Sequence, residues 1–111
     1  MQQSADTTYT TANSVTGTAY SPSRTDGGRV LETTNAAAVT VTLPPTVTAG
    51  WLIGTTLQVY QAGAGQVTLA GAVGVTLRSA GGKLRTAAQY SVISLRMRAN
   101  DEWVIWGDSA V

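Results

Sequence analysis

The chain has 111 residues, a formal net charge of +1, 12% charged side chains, and neither cysteine nor histidine. That length supports one domain around a single small core. The missing residue types exclude disulfides and zinc sites built on Cys or His, and the thin charge lacks the dense basic face of a nucleic-acid-binding domain.

Residues 1–25 are rich in Thr, Ser, Ala and Gln, with Tyr9, Val15 and Tyr20 isolated among them. The opening MQQSADTTYTT carries neither the basic nor the apolar region of a secretory signal. Such a segment buries too little apolar surface to offset its own ordering entropy. We therefore expect an extended N-terminal arm over 1–25 and a β domain over 26–111. Tyr9 and Tyr20 either dock the arm on its own domain as an edge strand or anchor it on a neighbouring subunit.

Pro22 and the Asp26-Gly27-Gly28 turn bracket a loop. Strands are then predicted from period-two alternation: Arg29 to Thr33, Ala38 to Leu43, Ile53 to Gln61, Gln66 to Leu69, Val73 to Arg78, Lys83 to Thr86, Gln89 to Met97 and Glu102 to Trp106. Pro44-Pro45 stops the second, since neither residue can donate to a ladder. Thr46 to Trp51 crosses to the next strand, where Trp51 covers one end of the core. Glycines at 63 and 65 suit a tight hairpin or a bulge. In the Gln89 to Met97 run the apolar parity slips, which places a bulge near Val92 or means that both faces are covered there. Evenly spaced short strands with no confident helix predict an all-β fold, a single two-sheet β-sandwich of jelly-roll type.

No reactive constellation emerges. The acids Asp6, Asp26, Glu32, Asp101, Glu102 and Asp108 fall on turns and strand ends, without the spaced oxygen ladder of a calcium loop. Hydroxyls are plentiful, yet there is no imidazole to activate them, and Lys83 is the only lysine. The glycine-rich run from Gly63 to Gly74 lacks the Gly-Lys-Ser/Thr ending of a phosphate loop. We expect no enzyme, no catalytic residue, no metal and no cofactor. No apolar run approaches the ~18 residues of a membrane span, so no membrane partner is expected.

Low charge favours association with copies of itself or with another protein. Trp103 reads as core; Trp106, on the opposite parity, is the candidate for an exposed ring at an interface, in a second core, or stacked on a sugar. Arg24 and Arg29 at the arm junction, with Arg96 and Arg98 on the long strand, suit pairing with carboxylates of a partner.

The Pro44-Pro45 turn followed by Ile53-Gly54-Thr55, the run Gln61 to Thr68 (QAGAGQVT), Gly74 to Arg78 (GVTLR), Gln89-Tyr90, and Glu102-Trp103 ahead of Gly107-Asp108 resemble a β module of tailed-bacteriophage structural proteins. The resemblance covers Val30 to Asp108. Such modules occur in small capsid decoration proteins, and also in tail fibres and spikes. The short chain favours the former. The resemblance implies a non-enzymatic virion component, made in the host cytoplasm, on the outer capsid surface. Its partner would be the major capsid protein, which it would cement as a dimer or trimer, with Tyr9, Tyr20, Arg24 and Arg29 touching the shell and Trp106, Arg96 and Arg98 forming a further exposed face. The alternative implied is a receptor- or glycan-binding module of a tail fibre or spike.

Overall fold

Alternating apolar and polar residues do form strands, close to the predicted positions. The computed structural model describes residues 12–111. The strands are β1 (Asn13–Val15), β2 (Ala19–Tyr20), β3 (Val30–Thr33), β4 (Val39–Leu43), β5 (Thr56–Gln61), β6 (Val67–Gly71), β7 (Thr76–Ser79), β8 (Arg85–Thr86), β9 (Val92–Ala99), β10 (Glu102–Gly107) and β11 (Ser109–Ala110). They build two sheets, one of six strands in the order β1-β3-β5-β9-β10-β7 and one of five in the order β11-β8-β6-β4-β2. The fold is all-β. After Pro44-Pro45 a single helical turn, α1 (Thr46–Ala49), occupies what the sequence suggested was plain crossover; Gly50 ends it in the left-handed region at φ 73°, donating to the Thr46 carbonyl.

The connectivity departs from a jelly roll, whose strands run antiparallel. Here β1, β3 and β5 are parallel neighbours in one sheet, and β2, β4 and β6 are parallel neighbours in the other. The chain changes sheet at each of these strands, so residues 13–71 wind three turns of a flattened coil, one strand per sheet per turn. Val30 lies opposite Gln58 and Val39 opposite Val67, the same offset along the chain in both sheets, so one turn stacks squarely on the next. The rest of the chain closes this coil with antiparallel strands, β9 on β5 and β8 on β6.

Residues 62–65 are accordingly a corner between sheets rather than a hairpin, stacked on the preceding corner at Thr34–Ala37. A Cβ on Gly63 would stand 2.5 Å from the Asn35 carbonyl oxygen, and one on Gly65 would overlap the Ala37 carbonyl. Those two glycines serve close approach of backbones.

Where an extended arm was expected over 1–25, Asn13–Val15 and Ala19–Tyr20 are strands of the two sheets. β1 extends the six-stranded sheet at its edge and β2 the five-stranded one, the own-domain alternative weighed for this segment. Residues 1–11, Tyr9 among them, lie outside the described residues.

The core lies between the sheets. Leu31, Leu57, Val59, Ile93, Leu95, Met97 and Trp103 from one face meet Val39, Val41, Leu43, Val67 and Leu69 from the other. Trp51 covers one end as expected, packing at 86° to Trp103 with ring centroids 5.2 Å apart and donating its Nε1 hydrogen to the Pro44 carbonyl at 3.2 Å. The predicted bulge near Val92 is absent: Ser91, Ile93, Leu95 and Met97 turn inward in unbroken alternation with Val92, Ser94, Arg96 and Arg98. The register break falls instead between Glu102 and Trp103 on β10, just after Asp101 at φ 56°. Two buried polar side chains link the sheets. The Thr86 hydroxyl donates to Gln61 Oε1 and accepts from the Val67 N–H, while Gln61 Nε2 donates to the Gly63 and Ala64 carbonyls at 3.2 and 3.3 Å.

Candidate functional site

The alternation that fills the core leaves a second set of side chains on the outer face of the six-stranded sheet. Strand register aligns them in rows. One row runs Val30, Gln58, Ser94, Trp106 across β3, β5, β9 and β10; a second runs Thr56, Arg96, Val104, Arg78; a third runs Glu32, Tyr60, Val92. Trp106 is 49% exposed, against 0% for Trp103 three residues earlier. Gln58, Ser94 and Trp106 of the first row line a hollow of about 260 Å³, together with Gly28, Arg29 and Thr56. By strand order Trp106 stands on one side, Gly28 and Arg29 on the other, and Gln58 and Ser94 between them. Gln58 Nε2 reaches the Ser94 hydroxyl at 3.5 Å, long enough to leave both groups available to a ligand. Beside the hollow, Tyr60 and the exposed Tyr90 lie tilted at 30°, centroids 6.5 Å apart.

The candidate residues separate into three places. Arg29 and Trp106 both line the hollow and Arg96 occupies the next row, but Arg29 precedes the outward Val30, so its side chain has the opposite parity and its charge acts on Tyr20. Arg98 is engaged elsewhere: its Nη1 lies 3.0 Å from Glu102 Oε2, on which Arg78 Nε also converges at 3.3 Å. Burial opposes the ionisation of Glu102, but the two guanidiniums outweigh it and hold the carboxyl below its ordinary range. Arg24 is exposed on a tight turn, Arg24–Asp26, at the edge of the loops between β4 and β5, where a Cβ on Gly50 would touch it.

Tyr20 is tied to its own domain. Its hydroxyl donates to Asp26 Oδ2 at 2.7 Å and accepts from Asn13 Nδ2 at 2.8 Å; the same Asn13 amide reaches Asp26 Oδ1 at 2.9 Å, and the Ser23 N–H donates to Asp26 Oδ2 at 2.9 Å. Asp26, 2% exposed, thus gathers strand β1, strand β2 and the following turn. Burial, then the hydrogen bond and charge of Asp26, push the Tyr20 phenol above its usual 10.0.

A feature that the sequence did not disclose lies at the end of the sandwich where β5 and β7 begin. Val47, Leu52, Ile53 and Val73 are exposed there at 91, 62, 66 and 99%. Hydrogen bonds from Ala72 to the Leu43 carbonyl, from Thr46 to the Asp101 carboxylate at 2.7 Å, and from Thr76 to the Asp101 carbonyl bring the three loops together. Ile53 and Val73 read as the first residues of strands because they stand beside apolar runs. Only the loop geometry reveals them as exposed.

Among the described residues no group of three or more acidic side chains is placed to hold a metal ion, and no helix is long and apolar enough to cross a membrane. Compared with protein-family models, with curated proteins and with solved structures, the chain gives no match.

Proposed function

We propose that the protein is a non-enzymatic structural component of a tailed-phage virion that decorates the outer capsid surface and cements neighbouring major capsid subunits. The observation that supports this most is the apolar loop end. Four large aliphatic side chains exposed together on a domain with so little charge favour burial against another protein. Arg24 at its margin supplies a guanidinium for a carboxylate on the shell, and residues 1–11 with Tyr9 provide a second attachment. Each copy contributes a modest interface, and repetition over a symmetric shell multiplies it. Tyr20, being tied within the domain, acts by holding β2 in place.

The test is co-sedimentation with expanded heads that lack the protein. Ile53→Asp with Val73→Asp should reduce binding at least tenfold, the effect of about 1.4 kcal/mol, while the melting temperature stays within a few degrees. Full retention of binding by the double variant would remove the loop end from the interface.

The hollow beside Trp106 favours a second reading, a glycan-binding module of a tail fibre or spike. An exposed indole in one row with an amide and a hydroxyl is equipped for a polar ring-shaped ligand. Copies per particle separate the two readings: hundreds for a capsid component, about a dozen for a tail component.

A further inference from the structure

From the outer face of the six-stranded sheet we infer a self-association surface: two copies of this chain pack these faces together about a twofold axis that passes through Gln58. The inference goes beyond the capsid reading, which leaves the oligomeric state open, and its test needs no capsid.

The first observation is how apolar this solvent-side face is. Val30, Tyr60, Val92, Val104 and Trp106 stand in its three rows, and Tyr90 lies beside Tyr60. Tyr90 holds φ at 75°, a conformation that a bulky residue keeps only where its surroundings impose it, and its N–H donates to the Gln61 carbonyl at 2.7 Å. The strained backbone thus presents an exposed ring next to a second one. Trp and Tyr set among smaller apolar side chains are the composition of a protein interface centre.

Charge placement identifies the occupant. Glu32 and Arg96 turn outward, and neither forms an ion pair among the described residues, whereas Arg78 and Arg98 share Glu102. They lie on opposite sides of Gln58. Glu32 is level with Tyr60, two residues after Gln58, on one neighbouring strand; Arg96 is level with Thr56, two residues before it, on the other. With strands ~4.8 Å apart and a rise of ~3.4 Å per residue, the two charges stand about 17 Å from each other with Gln58 at the midpoint, too far to pair within one chain. A twofold axis in the plane of the interface, through Gln58 and perpendicular to the line joining the charges, sets Glu32 of each copy against Arg96 of the other. The contact closes on itself, as an isologous interface requires. Gln58 then meets its own counterpart, and a primary amide, which both donates and accepts, is complementary to itself. Trp106, two strands away in the same row as Gln58, is carried by the same rotation to the second copy's Tyr60 and Val92. A partner of a single charge would satisfy one of the two side chains; a second copy satisfies both. Such a dimer covers the indole, which sets it against the glycan reading.

The experiment is sedimentation equilibrium of the full chain. Five strands, β3 to β7 in sheet order, by five residues of each make a face of roughly 20 by 15 Å, at the small end of specific interfaces. A monomer–dimer equilibrium with a Kd on the order of 10 µM is therefore expected over loading concentrations of about 1 to 500 µM. Glu32→Arg and Arg96→Glu should each weaken the dimer at least tenfold, since each sets like charges together twice. An equal mixture of these two variants should associate like the parent, because each supplies the charges the other lacks, and the two changes combined in one chain should restore the homodimer. Trp106→Ala should weaken it about tenfold. Unchanged far-ultraviolet circular dichroism certifies that each variant is folded. The inference is overturned if the parent stays monomeric or forms a trimer, if the charge reversals or Trp106→Ala leave association unchanged, or if neither the mixture nor the combined exchange restores it. Ile53→Asp with Val73→Asp should dimerise like the parent, so a failure at the capsid and a failure of the dimer are read separately; loss of the dimer in that variant would move the contact to the loop end and overturn the inference too.

Discussion

Two tryptophans three residues apart show how far a single side chain's role follows from strand parity. Trp103 turns inward and is fully buried, while Trp106 turns out. Trp103→Ala should cost about 3–5 kcal/mol, the range for deleting a buried aromatic, and Trp106→Ala within about 0.5 kcal/mol, as at an open surface. Chemical denaturation of both variants checks this, and equal losses would contradict the assignment of faces. Parity was readable here because alternation alone fixes it. The Tyr20–Asp26–Asn13 cluster was not, because it depends on three segments meeting. Since the Tyr20 phenol is raised in the folded state, folding holds that proton more tightly than the unfolded chain does. Its contribution is complete below the unfolded value of 10.0 and fades as pH rises beyond it. Tyr20→Phe should therefore flatten the fall in stability as pH rises above 10.0. A parallel fall in parent and variant would assign the alkaline loss to other groups.

At the level of elements, every strand predicted from residue 29 onward was found, because β-branched and alternating residues mark half-buried strands irrespective of partner. The starts of β5 and β7 were missed by a few residues because the loops before them carry apolar side chains, Ile53 and Val73. β1 and β2 were invisible for the opposite reason: at three and two residues they are too short for a period, and their sheet membership rests on the Asp26 hydrogen bonds. Two truncations distinguish an arm from an edge. Removal of residues 1–11 should leave the melting temperature nearly unchanged, whereas removal of 1–20 strips both edge strands and leaves Asp26 without two of its partners, lowering stability by about 2–3 kcal/mol. A second link, between turn and helix, is acid-sensitive. Asp101 accepts the Thr46 N–H, the first of α1, and this bond holds its carboxyl below the ordinary 3.8. The stabilisation is present above that value and is lost as pH falls through the lower folded one. Asp101→Ala should show a shallower acid limb in thermal melts, and an identical limb would deny the link.

For the molecule as a whole, the number of layers was legible and the direction of the strands was not. Apolar side chains at every second residue specify a buried and a solvated face, but the pattern is the same whether the neighbour runs parallel or antiparallel. Parallel strands usually lie buried on both faces and betray themselves by continuous apolar runs. Here the coil leaves Thr and Gln on an open face, so the parallel turns read as hairpins. The candidate site shares the ambiguity only at β3, since antiparallel pairs align Gln58, Ser94 and Trp106 while the parallel β3–β5 pair brings Val30 into their row. Gly65 carries the clearest sign of the true connectivity. Gly65→Ala should cost at least about 3 kcal/mol, because a backbone carbonyl would have to yield, whereas the exposed Gly74, with nothing near it, should lose far less on going to Asn, which tolerates its φ of 89°. Comparable losses at both would argue against stacked corners.

The coil also bears on how the chain reaches its native state. The pairs that define it, Val30 with Gln58 and Val39 with Val67, join residues far apart in sequence, and the last coil strands find their second neighbours only in β8 and β9. Loop-closure entropy must be met before those contacts give anything back, which makes for slow folding. A chain emerging from the ribosome holds β6 with one edge open until β8 has been synthesised, and β5 until β9 has. The C-terminal third thus acts as a lock on the coil, and a chain stopped short of residue 92 should accumulate as aggregate where the complete chain is soluble.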